Sequence, residues 1–91
     1  MRSKNKPRQT AAESRHVSMV ANLDCVVCSS PGPSEVHEIE QGKWWLSCAL
    51  CADCHRGSFN GLHGQKRIWH TKKISELDAL SKTLSQIYGN S

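Results

Sequence analysis

Polar and apolar positions divide this chain into short segments. Residues 1–14 are polar and basic, include Pro7 and show no apolar period, which predicts disorder. Between His16 and Leu23 the apolar residues Val17, Val20, Ala21 and Leu23 predict a short helical or extended lead-in. Cys25-Val-Val-Cys28 follows, then the turn-rich run Ser-Ser-Pro-Gly-Pro-Ser. Glu35 to Glu40 and Lys43 to Leu50 read as two strands, with Gln41-Gly42 as the hairpin turn between them. Gly57, Gly61 and Gly64 break any single helix after Cys54, and residues 65–72 suit a short helix. Leu77, Leu80, Leu84 and Ile87 then recur at helical steps after a Ser75/Asp78 capping box, and Gly89 ends the element.

Little of this pattern can form a core. Only 37% of the 91 residues are apolar, and the aromatics are Trp44, Trp45, Phe59, Trp69 and Tyr88. A chain of this length forms one domain and needs a staple such as a metal or disulfides. The five cysteines, an odd number, argue against a simple disulfide framework. The amino-terminal stretch has no apolar secretory region, and no run reaches a membrane span of about 20 residues. The expected setting is the cytoplasm, where paired cysteines bind metal more often than they oxidise.

Charge separates an arm from a domain. Residues 1–15 hold Arg2, Lys4, Lys6, Arg8 and Arg15 against Glu13 alone, whereas residues 16–91 hold seven cations and seven acids. Residues 1–15 are therefore read as a disordered basic arm able to touch phosphates, and 16–91 as the folded domain.

Cys25-x-x-Cys28 and Cys51-x-x-Cys54, separated by 22 residues, have the spacing of two knuckles that share one tetrahedral Zn²⁺. Cys48-x-x-Cys51 offers a competing pair. Cys48 lies in the apolar run Trp-Trp-Leu-Ser-Cys-Ala-Leu, however, and is predicted to be a buried strand residue. A closed four-cysteine site is structural.

His37, on the first strand, His55, immediately after Cys54, and His63, in the glycine-rich loop, form a second set. In one continuous helix His55 and His63 would stand about 12 Å apart. The glycines between them permit a return, so all three rings can converge. His16 and His70 lack this context and are read as structural.

Val36-His37-Glu38-Ile39, Leu50-Cys51-Ala52-Asp53-Cys54-His55-Arg56-Gly57 and Gly61-Leu62-His63-Gly64, in that order, resemble the HNH endonuclease superfamily. The likeness is closest to short phage HNH proteins related to recombination-enhancement nucleases, and it covers residues 16 to 88. It implies a small α+β zinc-bound domain with a ββα-metal hairpin–helix core, a four-cysteine staple and a C-terminal helix. It further implies metal-dependent hydrolysis of DNA in a bacterial host, with Mg²⁺ or another divalent cation held by His55 and His63. His37 matches the first member of the family's His-His or Asp-His pair. Glu38 stands where the second member, usually the general base, is histidine. Between the two, His37 is favoured as base for its near-neutral pKa. The family's middle asparagine has no counterpart among Leu46, Ser47 and Cys48. Arg56, Lys66 and Arg67 flank the expected site as phosphate contacts. Such relatives imply either bare DNA or a recombinase–DNA filament as partner. The alternative, supported by Glu38, is a non-catalytic zinc module that binds nucleic acid or protein.

Overall fold

A computed structural model describes residues 8–89. The arm residues Arg2, Lys4 and Lys6 lie outside the described residues. The elements, in chain order, are α1 (Ala11–Ala21), β1 (Glu35–Glu38), β2 (Ser47–Leu50), α2 (Ala52–Arg56), α3 (Arg67–Lys72) and α4 (Glu76–Tyr88). Among the described residues no helix is long and apolar enough to cross a membrane.

Helix formation begins earlier than composition predicts. The Glu13 carboxylate accepts from the Thr10 amide at 2.8 Å, and the Thr10 hydroxyl accepts from the Glu13 amide at 3.1 Å. This capping box satisfies first-turn amides that would otherwise lack partners. His16 and Val20, both fully buried, anchor the helix. The expected disordered arm therefore ends before Ala11, not at Arg15.

β1 and β2 pair antiparallel, with His37 opposite Cys48 and Val36 opposite Ala49. Both strands are shorter than the alternation predicts. Ile39 still donates to the Leu46 carbonyl at 2.9 Å, but two turns then close through Lys43 to Glu40 and Leu46 to Lys43. Gly42 supplies the positive φ of 87° in the first turn, a conformation that disfavours a side chain. Trp44 and Trp45 consequently lie on a turn instead of a strand. Trp44 is buried, while Trp45 is half exposed beside the His16 ring.

All four β2 residues are buried, because helices pack around the strand. Its outer edge is occupied as well. The Ala49 carbonyl accepts from the Val26 amide at 3.0 Å, and the Ala49 amide donates to Thr83 Oγ1 at 3.3 Å. The first cysteine knuckle and α4 thus satisfy the groups that an edge strand leaves unpaired.

The Ser75/Asp78 capping box forms as predicted and starts α4. Its packing face keeps Leu80, Leu84 and Ile87 of the leucine stripe and departs from it at Leu77. Ala79, Leu80 and Thr83 are buried, and Leu77 is 69% exposed. The Thr83–Ala49 hydrogen bond draws a polar residue onto the sheet, which turns Leu77 outward. At the carboxyl end, Tyr88 OH shares a 2.8 Å hydrogen bond with His16 Nδ1 and ties α4 to α1. Burial lowers the His16 pKa, consistent with a structural, uncharged ring.

Candidate metal centres

The backbone brings the two knuckles together. Val26 is pinned to β2 through Ala49, and β2 runs directly into Cys51. In the first knuckle Cys25 Sγ accepts from the amides of Val27 and Cys28 at 3.4 and 3.5 Å. In the second, Cys51 caps α2 and its sulfur accepts from the Cys54 amide at 3.4 Å. The four Sγ atoms of Cys25, Cys28, Cys51 and Cys54 lie within 4.8 Å of one another. Cys28 and Cys51 sulfurs are 3.6 Å apart, and all five cysteines are free thiols. A tetrahedron with zinc–sulfur bonds of about 2.3 Å has edges of about 3.8 Å, so the cluster fits zinc.

Its electrostatics fit as well. Burial works to raise the Cys28 thiol, but hydrogen bonds from Ser30, Cys51 and Cys25 outweigh it and bring the pKa to about 7. Burial raises Cys51, and burial with the adjacent Cys25 raises Cys54 steeply. Four sulfurs cannot all ionise against one another unaided, whereas a coordinated cation deprotonates thiols outright.

Cys48 stands apart from this group. It is fully buried on β2 and directed at the Glu76 carbonyl, 3.8 Å away. Burial, reinforced by the charge of Glu76, pushes its pKa to about 12. Cys48→Ala should therefore keep one zinc per chain and lose about 1 kcal/mol of stability. Zinc content and thermal melting check this, and loss of the ion would make Cys48 a ligand.

The second cluster forms just beyond the second knuckle. Nitrogen atoms of His37, His55 and His63 lie within 4.8 Å of one another. Ring centroids are 5.0 Å apart for His37 and His55, 5.2 Å for His55 and His63, and 5.9 Å for His37 and His63. They line a cavity of about 320 Å³ together with Val36, Glu38 and Gln41.

A glycine knot returns His63 to this place. Leu62 donates to the Cys54 carbonyl at 3.1 Å, and His63 to the His55 carbonyl at 3.3 Å. The turn is so tight that a Cβ on Gly61 would sit 2.4 Å from the Gly57 nitrogen, and one on Gly64 would sit 2.4 Å from the Gly57 carbonyl oxygen. Trp69 locks the knot from α3 by donating Nε1–H to the Cys54 carbonyl at 2.9 Å. Gly61→Ala should destabilise the fold by about 1–3 kcal/mol, since backbone must move. A melting temperature equal to that of the unchanged chain would contradict this packing.

Two carboxylates absent from the sequence-predicted site hold the rings. His55 donates Nδ1–H to Glu35 Oε1 at 2.8 Å, and His37 donates Nε2–H to Glu76 Oε2 at 2.5 Å. Glu35 lies two residues before His37, hence on the same face of β1. Glu76 comes from α4 and carries no local signal in the sequence. Arg56 grips Glu35 through Nε at 3.0 Å and Nη2 at 2.6 Å. Arg56 first and His55 second lower the Glu35 pKa to about 2, so this carboxylate stays ionised.

The remaining predicted residues are placed less uniformly. His37 stands among the possible ligands, not apart from them as a free base would. Glu38 borders the cavity, with Oε1 accepting from the Gly42 amide at 2.9 Å. Arg56 forks to Glu35 while its side chain stays 65% exposed. Lys66 and Arg67 are exposed at the start of α3, and the Arg67 guanidinium lies 5.7 Å from the centre of the Phe59 ring. No protein-family model, curated protein or solved structure matches this chain.

Proposed function

We propose that this chain is a metal-dependent endonuclease of HNH type that hydrolyses phosphodiester bonds in DNA. The observation that carries the reading is the convergence of three imidazoles, from β1, α2 and the glycine knot, around one cavity. The succession of β1, β2 and α2 beside a four-cysteine zinc staple supports it, as does the ordered motif set of the sequence.

His37, His55 and His63 would hold the catalytic cation. Three nitrogen donors with no carboxylate among them suit a first-row transition ion better than the oxygen-seeking Mg²⁺ named first from the sequence. When bound, such a cation supplies positive charge to a phosphate oxygen and to the departing oxygen. With His37 in the ligand set, Glu38 is the group bordering the cavity that is left to take a proton from water. Lys66 and Arg67 offer exposed cations for the DNA backbone, and the basic residues before α1 add salt-dependent attraction.

The test is nicking of supercoiled plasmid with Mn²⁺, Ni²⁺, Zn²⁺ or Mg²⁺, beside a His55→Ala control. Nicking with the unchanged chain that disappears in the control is expected. DNA binding without cleavage under every ion would favour the zinc module over the nuclease.

A further inference from the structure

We propose that Glu76 is a positioning residue that turns His37 into a metal ligand and makes the histidine centre depend on docking of α4. The inference rests on the metal reading of the three histidines and adds to it an element outside the hairpin and the knot. Glu76 is the first residue of α4, and its Oε2 lies 2.5 Å from His37 Nε2. His37 is only 8% exposed, while the Glu76 side chain is 39% exposed, so the bond is shielded from water on the imidazole side. An ionised carboxylate can only accept, which places the ring proton on Nε2 and leaves Nδ1 as the nitrogen available to a cation.

The mirror arrangement at His55 strengthens the assignment. There Glu35 takes the proton on Nδ1 and leaves Nε2. Neither Glu35 nor Glu76 belongs to the convergent donor set, so both stand behind the ligands. His37 and His55 are thus each oriented by a carboxylate from another element, Glu76 of α4 and Glu35 of β1.

The position of Glu76 is itself fixed. Ser75 and Asp78 cap α4, Cys48 Sγ donates to the Glu76 carbonyl, and Thr83 bonds to Ala49 on β2. His37 is the β1 partner of Cys48. The same pair of strand residues therefore meets the first turn of α4 twice, once through sulfur and once through imidazole. Ligand geometry at His37 follows wherever α4 sits.

The experiment uses the full chain with its cysteine site loaded with zinc. Ni²⁺ is titrated calorimetrically into the unchanged protein, Glu76→Ala and Glu76→Gln. In parallel, ¹⁵N spectra of the imidazole rings report which nitrogen of His37 carries the proton. Glu76→Ala should weaken Ni²⁺ binding about 10–100-fold, as loss of such an orienting partner does, and should mix the His37 tautomers. Glu76→Gln, which keeps an acceptor but loses the charge, should fall between. Zinc content should stay at one ion per chain in all three. Equal Ni²⁺ affinity in all three proteins overturns the assignment, and so does an unchanged protein whose His37 proton lies on Nδ1, whatever the variants do. An unchanged protein that takes up no Ni²⁺ beyond its zinc instead overturns the metal reading of the histidines, and the role of Glu76 with it.

Discussion

Cys51→Ser should leave a chain that neither holds zinc nor melts cooperatively. Cys51 closes the cluster between the knuckles, 3.6 Å from Cys28, and its sulfur also caps α2. Losing one thiolate opens the tetrahedron and removes the cap together. The core offers little in compensation. Its fully buried large side chains are few, led by Trp69, Leu50, His16 and Val20. A domain of this length has roughly 5–10 kcal/mol of folding free energy, and a structural zinc site contributes about 10–16 kcal/mol. The ion thus outweighs the net stability. Stripping zinc from the unchanged chain with a strong chelator, in reducing buffer, should give the same result. Far-UV circular dichroism and one-dimensional NMR would show it. A cooperative transition that survives in Cys51→Ser would mean the core stands without the metal.

The staple was the most legible part of the molecule, because its determinants are local. A Cys-x-x-Cys pair encodes its own turn, and both knuckles were readable without any knowledge of the strands. The Ser75/Asp78 cap was readable for the same reason. The apolar stripe of α4 was readable for Leu80, Leu84 and Ile87, but the burial of Thr83 was not, since its hydrogen bond depends on an Ala49 amide 34 positions away. The start of α1 was hidden by composition, although Thr10 and Glu13 encode it locally. At the histidine cluster the ring types could be named from sequence, and the glycines allowed their meeting. Glu76 could not be named, because only the docking of α4 brings it to His37 across 39 positions. The pairing of Arg56 with Glu35 was hidden as well, because the two residues lie on different elements, α2 and β1.

His55→Ala should reduce plasmid nicking by at least about 10²-fold, the scale on which removing a preorganised electrostatic contact slows a reaction. The fold should survive. Cys54 and the rest of α2 are untouched, and Arg56 keeps its hydrogen bonds to Glu35. The backbone bond from His63 to the carbonyl of residue 55 does not involve the ring. One zinc per chain and an unshifted melting curve would establish that the loss is chemical. Ni²⁺ uptake beyond the zinc should disappear as well. Full nicking by this variant would remove His55 from the machinery and, with it, the proposed use of the cavity.

The reach of α4 back to β1 also orders events during synthesis. Both cysteine knuckles and all three histidines leave the ribosome before Glu76 does, and at about 5–20 residues per second the interval is on the order of a second. Zinc can fold the first part of a nascent chain while the second centre still lacks its last carboxylate. The proposed histidine centre would therefore be completed only after α4 has been made and has docked, later than the cysteine cluster.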